Sequence, residues 1–588
     1  MKRNGASLAV YALEQIGVRK TFGIPGVHNS AIYDQLFKSA HIEPIIVSSE
    51  LSAGFMADAI SRTSDSIGTV VVVQGAGVTH LSSAIGQALV DNIPLLVISG
   101  SNRQVGKDFQ MHYFNLDKSL EGLVKKSFQV KDVSQIITII YEAYNLAISG
   151  SPGPVFIEIP LEIQIEQTDL PFLDYKKTAH ESKTENSAES VELQIFAGSE
   201  TAYSKIKQAV ELLSDSKLPG IYIGRGALNA SDEVKQLAEM LGAPISTTLQ
   251  GVGVFAQDHP LHTGFGFGNF AVPAAKNAFK NCDCLIAVGV RFSEIATANY
   301  LLPVPENLIH IDINHSVFHK NYHAKIAIEG DSKIVLNEVL SILKSKSIKP
   351  KTGINELSKK IEKDKLAYKM SWLDNSNEQL VSPGFFFNAL RNYFPQESIL
   401  ISGNGTHRFY AAELYPVKEI HEFVCPSDSD AMGYGIPACI AAKLIHKSKT
   451  VIGIIGEAGL LVNGLEMITA QYYKLGLLIF VLRDWVAHQN EISDRERAAT
   501  LTNPMHRSID IEKFAASVHA EYYVIRNDID ISGALTKAKE VIKTGKSIIV
   551  EVIWDNSRKS AYASGLLKPD LSRISFLEKL KILFKSRN

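Results

Sequence analysis

At 588 residues the chain is too long for one hydrophobic core and has room for three or four domains. Apolar residues make up 45% and charged residues 21%, ordinary for a globular protein, and a net charge of −2 offers no electrostatic attraction to nucleic acid. Four scattered cysteines, no apolar run near the roughly 20 residues that span a bilayer, and no signal-peptide pattern leave a cytoplasmic enzyme or binding protein as the expectation, with neither nucleic acid nor membrane as partner.

MKRNGASLAVYALEQIG opens the chain with an amphipathic helix pattern. Runs rich in Val and Ile then recur: Pro44–Val47, Ile67–Val73, Pro94–Ser99, Val155–Ile159, Gly220–Ile223, Cys284–Val288, Leu308–Ile313, Ser398–Ser402, Val451–Ile455, Leu477–Leu482 and Ser547–Ile553. Nearly all lack polar alternation, as strands covered on both faces do, and helical patterns lie between them. This predicts an α/β chain of doubly wound, mainly parallel sheets. Polar Thr178–Ser190 and basic Lys344–Lys351 (KSKSIKPK) read as linkers. The domains expected are 1–175, 191–345 and 378–560, with a tail at 561–588. The basic amphipathic end of that tail, Ser575–Asn588, reads as a docked or exposed helix rather than a membrane-surface element.

The chemistry gathers where strands end in small residues. Val451–Ile455 stops at Gly456-Glu457-Ala458-Gly459, and a helix pattern follows. Such a turn presents backbone N–H groups to a phosphate, and a carboxylate there makes sense with a metal ion between the two. Asp484, after the next strand, is the candidate second ligand for Mg²⁺, with backbone oxygens of the following turn. Two loop carboxylates that cap helices fit the spacing as well. GNGTHRF at Gly403–Phe409 and DAMGYGIPACIAA at Asp430–Ala442, with Met432 among glycines, are further small-residue turns. Glu50 follows Pro44–Val47 at the start of a helix, where the dipole alone favours a carboxylate. IPGVHNSAIYDQL and VVVQGAGVTHL, with Gly75 and Gly77, are turns of the same kind.

Taken in order, Glu50 with its helix, QGAGVTHL, FQMHYF, the AMGYG turn and the Gly456 turn resemble the thiamine-diphosphate-dependent enzymes of the acetolactate synthase and pyruvate decarboxylase type. The similarity runs from about Gly5 to Trp554. It is strongest to the acetolactate synthase large subunits, through FGIPGVHNSAIYDQL, GQALVDNIPLLVISG, SGSPGPVFIEIP, GVRFSEIAT and HIDIN. The resemblance implies a pyrimidine-binding, a central and a diphosphate-binding domain, and a homodimer or homotetramer with the cofactor at the subunit interface. Glu50 matches the glutamate that bonds the aminopyrimidine and relays the proton from thiazolium C2. Gln110 matches a glutamine beside the reacting carbonyl, and Met432 the apolar wedge that bends the cofactor. Gly75, Gly405, Thr406, His407, Ala458 and Gly459 fall at cofactor-binding positions. Glu457, Asp484 and the backbone of Val486 fall at the metal.

The departures bear on the chemistry. Glu457 stands where the family writes Asp, and the extra methylene moves its oxygens by roughly 1.5 Å in a site where Mg²⁺ wants ligands at about 2.0–2.1 Å. Thr406 replaces a glutamine, Ser49 a histidine, Ala76 a proline and His80 the common asparagine, and Trp485-Val486-Ala487-His488 is unlike the usual pocket loop. Gly224-Arg225-Gly226, Thr248-Leu249-Gln250, Gly289-Val290-Arg291-Phe292 and Asp312 lie where biosynthetic relatives contact FAD, whereas fermentative relatives leave that domain nucleotide-free. The implied activity is a carboligase, a transferase that decarboxylates pyruvate and passes the two-carbon unit to a second 2-oxo acid, as in branched-chain amino acid biosynthesis, with a regulatory subunit as a candidate partner. A decarboxylase or 2-hydroxyacyl-CoA lyase of the same fold, and a homologue that no longer turns over, are the alternatives.

Overall fold

The computed structural model describes residues 3–102, 111–112, 115–175, 200–346, 353–374, 376–395, 398–484 and 509–566. Asn4 starts the first helix, Gly5–Gln15. Its side chain accepts from the Ser7 backbone N–H at 2.9 Å, while the Ser7 hydroxyl accepts from the Asn4 N–H at 3.1 Å. The face carrying Leu8, Ala9, Ala12 and Leu13 is buried.

Three six-stranded sheets follow, parallel throughout, plus a small antiparallel pair of Arg3–Asn4 with Gln167–Thr168. The first sheet runs Glu43–Ile46, Lys20–Gly23, Gly68–Val73, Leu95–Ser101, Pro154–Pro160, Ser127–Gln129. The last runs Phe423–Val424, Ser398–Ser402, Thr450–Gly456, Leu478–Asp484, Ile548–Trp554, Glu521–Ile525. Both have the chain order 2-1-3-4-6-5, so the winding reverses between the first and third strands of each sheet. Loops there diverge and leave a crevice at the strands' C-terminal ends, the usual ligand site of such sheets. The Gly456 turn and the Gly403–His407 turn border that crevice in the last sheet.

The middle sheet runs His262–Phe265, Ile245–Thr247, Pro219–Ile223, Cys284–Val288, Asn307–Asp312, Ile326–Glu329, the order 3-2-1-4-5-6 of dinucleotide-binding folds. At its reversal point the glycines face each other. A Cβ on Gly226 would lie 2.7 Å from the Gly289 Cα, and one on Gly224 would strike the Gly289 carbonyl.

The chain forms two compact units, Met1–Glu200 with Trp372–Asn556 and Thr201–Ser371 with Ser557–Asn588. In the first unit the two flanking sheets share one apolar core. Helix Glu50–Thr63 packs on helix Gly435–Ile445, where Ala53, Ala57, Ala438, Ala441 and Ala442 permit close approach. Phe55 meets Tyr434 edge-on at 5.6 Å. Each large apolar side chain buried there contributes about 1.5–3 kcal/mol. Within this apolar contact Arg62 is fully buried between Asp58 at 2.6 Å and Asp91 at 2.8 Å, and Asp91 also accepts the Ser427 and Asp428 N–H groups. The first and last sheets, far apart in the chain, thus meet across one apolar interior.

In the second unit Ala298, Asn299 and Tyr300 run consecutively at φ 49°, 65° and 60°. Tyr562 secures this left-handed turn: its hydroxyl accepts from the Ala298 N–H at 3.0 Å and donates to the Ile295 carbonyl at 2.8 Å. Among the described residues no helix is long and apolar enough to cross a membrane.

Candidate functional site

Strands Ser398–Ser402 and Thr450–Gly456 are paired neighbours, and the Gly403 N–H donates to the Ile454 carbonyl at 2.8 Å. Their terminal turns therefore emerge side by side. Gly405 has φ 126°, and a side chain on it would strike the His407 ring. His407 is buried beside Gly403 and Gly456, with no hydrogen-bond partner on its Nε2. Burial first, and the Arg408 charge second, lower the imidazole's pKa to about 4, against the pull of the Gly403 and Ile454 carbonyls. The ring is thus neutral at physiological pH. Thr406 is exposed and makes no side-chain cap.

Met432 stands on the neighbouring turn and is 47% exposed, an uncovered apolar side chain beside polar loops. Gly433, at φ 93°, has no room for a Cβ against Val462 and Asn463, and Asn463 donates to its carbonyl at 3.1 Å. Asp430 holds Arg408 at 2.5 Å, which fixes the start of this turn to the helix that carries His407.

Glu457 is the first residue of helix Glu457–Asn463, followed by exposed Ala458 and half-buried Gly459. Its carboxylate is already engaged. Oε1 accepts the Ile509 N–H at 2.9 Å and lies 3.5 Å from Arg483 Nη2. Arg483 also pairs with Glu551 at 2.7 Å and donates to the Ile509 carbonyl at 2.7 Å. Asp484 ends the same strand, one residue on. The side chain of Asp484, together with Val486 and Gln110, lies outside the described residues.

A divalent ion on Glu457 would have the Arg483 guanidinium as a neighbour, and the carboxylate's Oε1 is already taken up by the Ile509 N–H and Arg483. Among the described residues no group of three or more His, Cys, Asp or Glu side chains is arranged to hold a metal.

On the first sheet, Glu50 begins helix Glu50–Thr63 with its side chain 16% exposed. Its Oε2 meets His80 Nδ1 at 3.1 Å, and its Oε1 lies 3.7 Å from where a Cβ on Gly77 would be. Gly75, at φ 73°, lets the turn pass close to the His112 carbonyl. The structure therefore brings Glu50, Gly75 and His80 together at the end of strand Gly68–Val73. It brings Gly405, His407 and Gly456 together on the other sheet.

Sequence reasoning missed Arg483, Ile509 and the pairing of His80 with Glu50. An arginine at the end of an apolar strand, in VLRDW, was the available signal for the first.

A cavity of about 580 Å³ lies further along the first sheet, with Gln74, Asn102, Asp117, Gln129, Lys131 and Glu158 in its wall. Burial raises the Glu158 carboxyl's pKa, against the Ser101 hydroxyl, and Asp117 adds to the rise. In the middle sheet, burial pushes Asp312 up to about 6, while the Asn314 N–H and the Arg291 charge pull it down. Thr247 Oγ1 and Gln250 Nε2 are buried there without partners.

Three family models cover the chain in order. They are the thiamine pyrophosphate enzyme N-terminal TPP binding domain at 3–120, the central domain at 206–339 and the C-terminal TPP binding domain at 403–552. The acetolactate synthase isozyme 3 large subunit of Escherichia coli is 28% identical, over 94% of this chain and 95% of its own. The probable acetolactate synthase large subunit of Methanocaldococcus jannaschii is 31% identical, over 81% of this chain and 79% of its own. Acetolactate synthase 1 of Zea mays, a chloroplastic protein, is 27% identical over 92% and 82%. Matched in all three domains and along most of its length, the chain belongs to the thiamine-diphosphate-dependent enzymes, among relatives of the acetolactate synthase large subunits.

Proposed function

We propose that the chain is an acetolactate synthase-like carboligase, acting on pyruvate and a second 2-oxo acid. The observation that supports this best is the matched pair of sheets. One sets a shielded carboxylate, Glu50, beside a glycine turn, and the other sets small-residue turns, a neutral imidazole and an uncovered methionine at its crevice. A cofactor with a basic ring at one end and a diphosphate at the other suits such a division. The turn at Gly405, bare of side chain beside the buried His407 ring, would leave room for its polar end.

When bound, thiamine diphosphate supplies a nucleophilic carbon that adds to a 2-oxo acid and stabilises the charge left as CO₂ departs. Glu50 would hold the pyrimidine and exchange a proton through its carboxylate, with His80 fixing Oε2. Met432 would offer the cofactor an apolar rest. Gln110 would orient the reacting carbonyl, and seating the acceptor acid ahead of water would favour adding carbon over hydrogen. No step is assigned to a metal on Glu457.

The active species in this reading is a homodimer or homotetramer in the cytoplasm, with the N-terminal, central and C-terminal domains bounded as the sequence suggests. FAD on the central sheet is the finer question. The glycines there are explained by loop packing, whereas Thr247 and Gln250 leave polar atoms for a ligand; a flavin absorbance spectrum of the purified protein decides it.

Product analysis with thiamine diphosphate and pyruvate tests the function. Acetolactate with CO₂ supports it, and aldehyde with CO₂ supports a decarboxylase or lyase. The Glu457–Arg483 contact favours a third reading, a homologue without turnover, which makes neither product.

A further inference from the structure

We propose that Glu466, on the helical turn Gly464–Glu466 of the last sheet's half, is the positioning residue for Glu50 of the first. The proposal rests on the reading that Glu50 exchanges a proton with bound thiamine diphosphate.

The turn that leads into Glu50 is held from across the core. At the end of strand Glu43–Ile46 the Val47 N–H still donates to the Gly23 carbonyl at 3.3 Å. The next N–H, that of Ser48, leaves the sheet and donates to the Glu466 carboxylate, at 3.0 Å to Oε1 and 3.3 Å to Oε2. Ser49 then starts helix Glu50–Thr63 without a side-chain cap. Glu50 is two residues beyond the Glu466 contact, so that contact fixes the point from which its side chain extends.

Glu466 is a demanding residue to bury. It is 2% exposed, and its charge is met by the Ser48 N–H and by the Thr469 hydroxyl, which donates to Oε1 at 2.5 Å. Among the described residues no lysine or arginine stands at ion-pair distance from it. A carboxylate buried on so few donors is less stable there than an apolar side chain of its size. What it adds is a charge-assisted bond, about twice as strong as a neutral one, to a turn on the other sheet.

The opposite turn is held in the same manner from the other side. Gln87, fully buried on helix Ser82–Val90 of the first sheet, accepts the Ala431 N–H at 3.2 Å, next to Met432. Asp91, four residues on, accepts the Ser427 and Asp428 N–H groups. Slack at Ser48 is therefore not taken up by a shift of the Met432 turn. Proton transfer needs its heavy atoms within about 2.6–3.2 Å, and a misplacement of about 1 Å lowers a rate roughly 100-fold.

The test compares Glu466→Ala, Glu466→Gln and Thr469→Val in the full-length protein. Three quantities are read: amide hydrogen exchange of the peptide that contains Ser48, without cofactor; calorimetric binding of thiamine diphosphate with excess Mg²⁺; and turnover of pyruvate. Glu466→Ala should speed Ser48 exchange at least about tenfold and leave the helix amide of Met56 unchanged. It should keep the dissociation constant within about threefold and lower kcat at least about 30-fold. Glu466→Gln keeps an oxygen for the Ser48 N–H and should return kcat to within about fivefold of wild type. Thr469→Val frees the carboxylate without emptying its place, should fall between the two, and carries the test if Glu466→Ala does not fold. Faster Ser48 exchange with normal kcat overturns the proposal. So does a loss of binding and kcat together in step with the melting temperature, which is the mark of a purely structural role. Wild-type protein that binds no thiamine diphosphate overturns the cofactor reading and this proposal with it, and the Ser48 exchange rates, which need no cofactor, tell that case apart.

Discussion

Arg62 and Asp91 form a fully buried ion pair, Nη2 to Oδ2 at 2.8 Å, and through the Ser427 and Asp428 N–H groups on Asp91 the pair ties the first sheet to the last. Its value lies in completeness, because each charged atom has a partner. Asp91→Ala leaves Arg62 paired with Asp58 but takes the partner from two buried N–H groups, and should destabilise the first unit by about 2–4 kcal/mol. Urea unfolding followed by Trp372 and Trp554 fluorescence reads the loss. A change within about 1 kcal/mol would show that water enters and repairs the site.

In its proposed role Glu50 transfers a proton rather than securing the cofactor. Glu50→Gln keeps the shape and most of the hydrogen bonding but cannot exchange a proton, so product formation should fall at least about 100-fold while thiamine diphosphate still binds. Equal losses in binding and turnover would return Glu50 to the role of a helix-terminal carboxylate.

The buried His407 gives the fold an acid weakness of definite sign. Its folded value of about 4 lies below the ordinary 6.5, so the unfolded chain takes up the proton more readily. Its contribution is intact above pH 6.5 and is lost as pH falls from there through 4, by up to about 3 kcal/mol. His407→Gln should flatten this part of the stability profile, measured by urea unfolding at several pH values. An unchanged slope would assign the acid limb to other groups.

Tyr562 and the turn at Ala298 form a second, separable pair. Tyr562→Phe leaves the Ala298 N–H and the Ile295 carbonyl short of a partner, at a cost of about 1–3 kcal/mol to the second unit. Ala298→Gly should be neutral or stabilising by up to about 1 kcal/mol, because φ 49° strains alanine and not glycine. Chemical unfolding of both variants checks the two signs together.

Much of this architecture was legible in the chain. Continuous apolar runs such as Gly68–Val73 and Leu95–Ser101 announce strands covered on both faces, and the small residues after them announce the turns that carry Glu50 and Glu457. Lys20–Gly23 was hidden although it sits inside a sheet, because Lys20 is buried only by virtue of its pair with Glu43 on the next strand. Ser127–Gln129 and Glu521–Ile525 are short edge strands with exposed positions, which carry little pattern. The partners of Glu457 were hidden for the same reason as those of Lys20. Arg483 and Ile509 come from other elements, and no local period marks their meeting. Nor does any local feature show that the first and last sheets share an interior.

That shared interior has a cost during synthesis. Helix Glu50–Thr63 leaves the ribosome early, while the helix that covers it begins only at Gly435. At 5–20 residues per second the wait is roughly 20–75 s, long enough for an uncovered apolar face to find other company. Until its last quarter arrives, the nascent chain carries this face uncovered. Fragments that end after the first sheet should be sticky even though that sheet is complete.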